Sequence, residues 1–454
     1  MKQNTKIMLA RLPMDNQYPE EDKLSGLHGA PPTGLAILAN AIKRKVPGAE
    51  IRIYDGYEVR MDFLKYEISQ WKPDIVGATD QYPEHRNVLR LLEHGKSVGA
   101  LTFAGGSNAS NLAERIVLNR DFVDGVVKGD GEDSLSETVL RLSRGEEYND
   151  FRKHIPNLVY ADRGDAVENE MRYAKMDLLF DFDDMMSNGI DNSKAVEISS
   201  VRGCLKAQEK NKCSYCTVGS RYRTMDPELV WEQIGILHKK YGYTLFFESG
   251  DTLANKPYLR KLIENRPLEL SDVGFRAYCT PMHFTEEMAS LFKELNVKRL
   301  FLGIESVNNE ILANTNRNYT EDHIHNAMVY AENFPLQLPF LLGLPGETQE
   351  TLEKNYQFVK EVLARKPDTI LLASPVIPLA GSSFFHELSE DERVNNEYPG
   401  DLKKDDLINY RKLIEIYVPL YTECTLEMIF DYSERMKGLA QKGKSTTWPL
   451  TCQD

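Results

Sequence analysis

Short apolar runs alternate with helix-like stretches along most of this 454-residue chain, and that alternation constrains the fold more than any single residue does. In the first 145 residues the apolar runs fall at 6–12 (KIMLARL), 50–56, 74–80, 100–106 and 124–130, with helical spacing near 34–44, 60–71, 86–98, 109–119 and 132–143. Strands separated by helices predict a parallel, doubly wound α/β sheet. Several strands close on glycine or acidic residues, at Asp55-Gly56, Gly105-Gly106 and Gly129-Asp130-Gly131. Ligands of open α/β sheets bind beyond the carboxyl ends of the strands, so these loops are candidate binding elements.

The periodicity fades between Asn149 and Ser193, which reads as an interdomain connection. Six further strand candidates follow at 195–200 (AVEISS), 244–249 (TLFFES), 273–278 (VGFRAY), 299–306 (RLFLGIES), 338–343 (LPFLLG) and 369–375 (TILLASP), with helical stretches between them. Six β/α units are too few for a closed eightfold barrel, so a partial (β/α)6 TIM-like barrel is expected, with chemistry at the C-terminal ends of its strands. The chain exceeds the size of one ordinary core. The expected organisation is a Rossmann-like domain over 1–145, a linker over 146–193, the partial barrel over 194–385 and a small helical C-terminal region over 386–454.

A charge of −14, from 55 basic and 69 acidic residues, disfavours a general grip on phosphate backbones, so a nucleic-acid partner is not expected. No apolar stretch approaches the roughly 20 residues of a membrane span, and the amino terminus lacks the apolar core and cleavage site of a signal peptide. A cytoplasmic location is expected. Of the six cysteines, at 204, 213, 216, 279, 424 and 452, three fall within 13 residues, a clustering that suggests metal ligation more than disulfides.

Those three follow the first barrel strand as Cys204-x8-Cys213-x2-Cys216, in the loop at the active-site end of the barrel. Three thiolates around four irons leave one iron open to an exogenous ligand. A zinc site completed by a distant His or Cys is the alternative. No His lies near the cluster in sequence, and Cys279, Cys424 and Cys452 read more simply as small buried hydrophobes.

With GIES (303–306), LLGLPGET (341–348) and SPVIPLAGS (374–382) in that order, the chain over roughly residues 5–385 resembles the radical S-adenosylmethionine (SAM) superfamily, in the branch carrying an N-terminal cobalamin-binding domain. The usual cysteine spacing there is C-x3-C-x2-C, so the first gap is enlarged; lengthening a loop adds only modest closure entropy. The resemblance implies a [4Fe-4S] cluster on Cys204, Cys213 and Cys216, SAM bound at the open iron, a small-molecule or peptidic substrate, and an electron donor such as flavodoxin or ferredoxin. It implies that Glu248 or Asp251 holds the SAM amino group, and that Arg276, Glu305 and Ser306 contact its carboxylate or ribose. Arg276 and Glu305 paired with each other inside the barrel is the plainer reading. Gly343, Gly346 and Glu347 would bring backbone close to the adenine, or form an ordinary strand-to-helix turn with Glu347 in the first helical turn.

In the N-terminal domain Gly105, Gly106 and Gly129 resemble loops around a corrin, so cobalamin is a further expected cofactor. The family's D-x-H-x-x-G motif is absent, which implies no protein histidine on the cobalt. The enlarged stretch RGCLKAQEKNKCSYC is similar to the Lys-rich loop of the radical SAM enzymes of arsinothricin biosynthesis. That similarity implies release and transfer of a 3-amino-3-carboxypropyl group in biosynthesis, with Lys206, Lys210 and Lys212 near an anionic cluster or simply solvated. Cobalamin-dependent methyl transfer and 5′-deoxyadenosyl radical chemistry are the competing reactions, and a non-catalytic corrinoid- or zinc-binding module is the reading of another class.

Overall fold

The computed structural model describes residues 5–14, 30–186, 195–208, 211–219, 221–248 and 253–440. The chain divides into two compact units, one of residues 1–192 with 239–241 and 404–408, the other of 193–238, 242–403 and 409–454.

The first unit is built on strands β1 (Lys6–Arg11), β2 (Glu50–Asp55), β3 (Ile75–Thr79), β4 (Leu101–Gly105), β5 (Gly125–Val127), β6 (Leu158–Asp162) and β7 (Asp165–Glu168). They lie in the order β2-β1-β3-β4-β5-β6-β7, parallel as far as β5. Helices α1 (Thr33–Lys45), α2 (Met61–Trp71), α3 (His85–Ser97), α4 (Ser107–Asn119) and α5 (Glu132–Ser143) make the crossovers. The order places a switch point between β1 and β3, where successive connections leave in opposite directions, the place at which open α/β sheets receive ligands beyond the carboxyl ends of their strands.

The segment expected to be a linker instead supplies β6 and β7, paired antiparallel with β5 and with each other. Their hairpin turns on Arg163 and Gly164, both at positive φ, 52° and 93°, as the tight primed turns of β-hairpins require. Further along, Ile53 bridges Met185 and Lys43 Nζ contacts Asp184 at 2.5 Å, so this unit extends well past residue 145.

The second unit holds β8 (Val196–Ile198), a two-stranded ribbon of β9 (Val201–Arg202) and β10 (Arg223–Thr224), then β11 (Leu245–Glu248), β12 (Gly274–Cys279), β13 (Val297–Leu302), β14 (Leu336–Leu342) and β15 (Ile370–Pro375). Its main sheet is wholly parallel in the order β15-β14-β13-β12-β11-β8, the expected six-stranded partial barrel. One sheet face carries the core: Phe275 on β12 meets Trp231 of helix Pro227–Tyr241 edge-on at 5.8 Å, and Phe340 on β14 meets Phe358 of helix Gln349–Arg365 at 6.3 Å. The opposite face carries Arg276 and Tyr278, with Phe301 of β13 tilted against Tyr278 at 4.6 Å. Helices start where side chains cap them, as Asp226 accepts from the Glu228 amide, Thr285 from Met288 and Thr348 from Thr351.

Within this unit the C-terminal region forms helices Ser383–Glu390, Glu392–Glu397, Tyr410–Tyr421 and Leu426–Ala440. The buried Tyr417 hydroxyl donates to the carbonyls of Gly343 and Val376 at 3.1 and 3.0 Å, so these helices complete the barrel core.

Candidate functional site

The cysteine loop leaves the barrel through a narrow neck. β9 and β10 pair antiparallel, Arg202 with Arg223 and Val201 with Thr224, and so fasten the two ends of the loop together. Gly203 sits inside that neck at φ 82°, and a Cβ there would lie 2.1 Å from the Arg221 carbonyl oxygen. Only glycine meets both the left-handed backbone and that approach. The arm carrying Cys213 and Cys216 is held by hydrogen bonds to its backbone: Ser214 N donates to Thr315 O at 3.2 Å, Asn316 Nδ2 to Lys212 O at 2.7 Å, and Phe384 N to Ser214 O at 2.9 Å.

Cys204, Cys213 and Cys216 are free thiols, each half-buried. The Val218 amide donates to Cys216 Sγ at 3.5 Å, and Lys206 Nζ lies 3.5 Å from Cys213 Sγ while also bonding the Asn316 carbonyl. Donors and a cation thus already face the sulfurs, an environment suited to thiolates. Three free thiols on one loop, with a cation and an amide donor beside two of them, are a donor set that fits a four-iron cluster, which takes one thiolate at each of three corners.

Behind the loop lies a buried pair absent from the sequence expectations. Glu305, just past β13 and at φ 61°, forms an ion pair with Arg317, both side chains only 10% exposed. Arg317 lies 5.4 Å from the ring centroids of both Tyr215, inside the C-x2-C pair, and Tyr319. The Tyr319 hydroxyl donates to the carbonyls of Gly303 and Ile304 at 2.7 and 2.9 Å, fixing the strand end that presents Glu305. The Arg317 Nε has no hydrogen-bond partner among the described residues. The signal for this pair was present in Arg317-Asn318-Tyr319, a basic-aromatic stretch after helix Asn309–Asn314, but nothing in its spacing ties it to Glu305.

The other expected residues are placed variously. Glu248 ends β11 in register with Ile198; Asp251 and Lys210 lie outside the described residues. Arg276 stands in register with Phe247 and Arg299 and does not pair with Glu305, which Arg317 has taken. Ser306 is fully buried, its hydroxyl 3.3 Å from Asn355 Oδ1 and accepting from Asn308 Nδ2 at 3.2 Å, so it anchors the helix behind the strand instead of facing a ribose. Gly343 and Gly346 take φ 82° and 86°, and the close approaches they permit are made by the protein itself: a Cβ at these positions would lie 3.0 Å from Ile429 and 2.7 Å from Asn314 respectively. Glu347 is neither in a helical turn nor turned outward: it is wholly buried under the turn, accepts from the Gly343 amide, and burial pushes its carboxyl up to about 8. Burial likewise pushes the Cys279 thiol up to about 12, as expected of an inert core cysteine.

In the first unit Gly105 closes β4, and Gly106, at φ 97°, packs so closely on Asp80 that a Cβ would meet its carbonyl oxygen at 2.7 Å. Gly129, at φ 76°, donates its amide to Ser110 Oγ at 3.0 Å. All three stand at the carboxyl-end side of the sheet.

The Radical SAM superfamily model matches residues 198–359, which span the strand before the cysteine loop through the helix after β14. Residues 198–359 are a radical SAM domain. Domains of this superfamily belong to enzymes that cleave SAM, and they imply a [4Fe-4S] cluster and SAM as cofactors. It is 27% identical over 353 residues to an uncharacterized methyltransferase of Pyrococcus horikoshii, covering 73% of each chain. It is 24% identical over 386 residues to the anaerobic magnesium-protoporphyrin IX monomethyl ester cyclase of Rubrivivax gelatinosus, covering 80% of this chain and 67% of the relative. Among solved structures, the radical SAM methyltransferase TsrM of Kitasatospora setae superposes with a TM-score of 0.68 at 18% identity, over 86% of this chain and 77% of that one. The radical SAM domain and its N-terminal doubly wound sheet therefore share the fold of that enzyme, another structure of which holds cobalamin and a [4Fe-4S] cluster.

Proposed function

We propose that this radical SAM enzyme is a cobalamin-dependent methyltransferase acting on a small molecule. The observation that carries the reading is the presence, in one chain, of a thiol-bearing loop at the strand ends of a partial barrel and a doubly wound sheet with a switch point. Methyl transfer is favoured because it is the activity named for the Pyrococcus relative and for TsrM, whereas none of the relatives described above is named for aminocarboxypropyl transfer, the reaction favoured from the cysteine loop.

Cys204, Cys213 and Cys216 would hold three irons of the cluster. When bound, the cluster supplies the electron for SAM cleavage and cobalamin the methyl carrier. Lys206, beside Cys213, offsets negative charge on the sulfur. Glu305 and Arg317 stand together behind the loop as an acceptor for ribose hydroxyls and a forked donor for the SAM carboxylate, with Arg317 taking the role expected of Arg276. Glu248 or Asp251 remains the acidic partner for the ammonium group. Tyr278 and Phe301 form an aromatic floor for a substrate above the barrel. Gly105, Gly106 and Gly129 lie on the carboxyl-end side of the sheet where a corrinoid would sit, with Gly106 letting Asp80 pack against its backbone, and a small electron-transfer protein would deliver the reducing equivalent.

The test is anaerobic reconstitution with iron and sulfide, then reduction with SAM and cobalamin. Wild type is expected to bind about four irons and to form S-adenosylhomocysteine, and Cys213→Ala to lose both. Methylthioadenosine as the nucleoside product would restore the aminocarboxypropyl reading, and 5′-deoxyadenosine without S-adenosylhomocysteine would indicate radical chemistry without methyl transfer.

A further inference from the structure

In the first unit a polar arch spans the end of β1. Tyr57 follows β2 and Glu84 follows β3, the two strands that flank β1. The Tyr57 hydroxyl donates to Glu84 Oε1 at 3.0 Å, so the bond crosses the carboxyl end of β1 at the switch point, where open α/β sheets receive ligands. Beneath it Arg11, the last residue of β1, pairs with Asp55 and lies 5.2 Å from the Tyr57 ring centroid.

Glu84 is only 4% exposed, and its second oxygen, Oε2, has no hydrogen-bond partner among the described residues. A buried polar atom left unpaired is costly, and such atoms in native structures mark functional groups or missing ligands. The groups facing this carboxyl are Tyr57, Arg11, Asp55 and Asp80, with His85 next in the chain. Burial pushes it up to about 8, with the Tyr57 bond and the Arg11 charge working downward and Asp80 and Asp55 upward. At neutral pH it therefore carries a proton, which sits on the oxygen Tyr57 leaves free. A buried neutral acid with one free oxygen donates one hydrogen bond and asks for an uncharged acceptor.

We infer that Glu84 is a binding residue at the N-terminal switch point, where it donates through Oε2 to a carbonyl oxygen of a bound amide-bearing corrinoid. The inference rests on the proposed cobalamin dependence and adds the contact that reads the macrocycle's side-chain amides. Arg11 and Asp55 neutralise each other beside it, which suits an uncharged ligand group better than a phosphate.

The test is equilibrium binding of methylcobalamin in the dark to the full chain, by dialysis, at pH 6.5 and 9. Wild type is expected to bind about tenfold more weakly at pH 9 than at pH 6.5, as the donor proton is lost. Glu84→Gln, which keeps an N–H donor at every pH, is expected to flatten that dependence; Glu84→Leu is expected to bind about tenfold more weakly at pH 6.5. Circular dichroism of both variants separates misfolding from lost binding. Wild-type binding with an unchanged constant in Glu84→Leu overturns this inference alone. Absence of any methylcobalamin binding by wild type overturns the cobalamin reading and this inference with it.

Discussion

The two units handle buried charge near their strand ends in different ways. In the first, Asn108 donates to Asp80 at 3.1 Å, Asp80 holds His85 Nδ1 at 2.7 Å, the far side of His85 faces Asp406 at 3.9 Å, and Arg120 grips Asp406 with two bonds at 2.7 and 3.0 Å. Charges alternate along that chain, so each carboxylate has a cation beside it. Among the described residues the barrel instead buries one ion pair, Glu305 with Arg317, beside an Arg317 Nε and a Glu347 Oε1 without hydrogen-bond partners. The alternating chain pairs charge with charge, though it leaves His85 Nε2 without a hydrogen-bond partner among the described residues, as is Glu84 Oε2 outside it. An isolated pair with spare donors is what a site looks like when part of its hydrogen bonding is reserved for something else.

That contrast breaks first at Arg317. Replacing Arg317 with Met strands the Glu305 carboxyl in the core, and removing one member of a buried pair costs about 3–5 kcal/mol. Urea denaturation is expected to show that loss, whereas Glu305→Gln paired with Arg317→Met recovers much of it. A loss no larger in the single variant than in the double would mean the pair is no tighter than a surface bridge.

A smaller effect is expected in the first unit. Burial disfavours the His85 charge, but Asp80 and Asp406 on either side outweigh it and hold the imidazole up at about 9. Because the folded value lies above the ordinary one of about 6.5, this contribution is fully present below pH 6.5 and fades as pH rises through about 9. Asp406 runs the other way: burial works against its charge, but His85 and Arg120 bring it down to about 2, so its contribution is present above the usual carboxylate range and fades as pH falls through about 2. Asp406→Asn is expected to cost roughly 2 kcal/mol at pH 7 and somewhat less at pH 9.5, where the Arg120 bonds remain, measured by urea unfolding at both. Equal losses at both values would show that His85 is not charged in the folded state.

The smallest effect sharpens the picture of Glu347. Its raised carboxyl favours folding while protonated, so stability drains away as pH rises from about 4.5 through about 8. Glu347→Gln stays neutral throughout. It is expected to match wild type within about 1 kcal/mol at pH 6 and to melt higher than wild type at pH 9. Parallel melting profiles across that range would put the Glu347 charge in solvent contact.

The barrel was readable from sequence because its strands appear as short, mostly apolar runs separated by helical spacing, and all six match observed strands to within a few residues. The end of the GIES run, however, lies beyond β13, since Glu305 leaves the strand at positive φ. The β6–β7 hairpin was missed because its strands are short, with β7 exposed at both ends and neither apolar face repeated. In the site, the cysteines were visible as a local cluster. Arg317 was not, because its partner lies twelve residues away across a helix and only the fold brings them together. Ser306 and Glu347 stood in the right motifs but point into the core, a distinction that side-chain direction decides and spacing does not.

The ribbon of β9 and β10 makes the cysteine loop a cassette. Its ends are clamped by one ladder and by a glycine that admits no side chain, while Ser214, between Cys213 and Cys216, is pinned to both Thr315 and Phe384. Residues inserted between Cys204 and Cys213 are therefore absorbed by the span between two fixed points, and the anchored thiols keep their places. A gap of eight residues in place of three is then a change in upholstery over an unchanged frame, and loop length alone becomes a poor guide to which bond of SAM is broken.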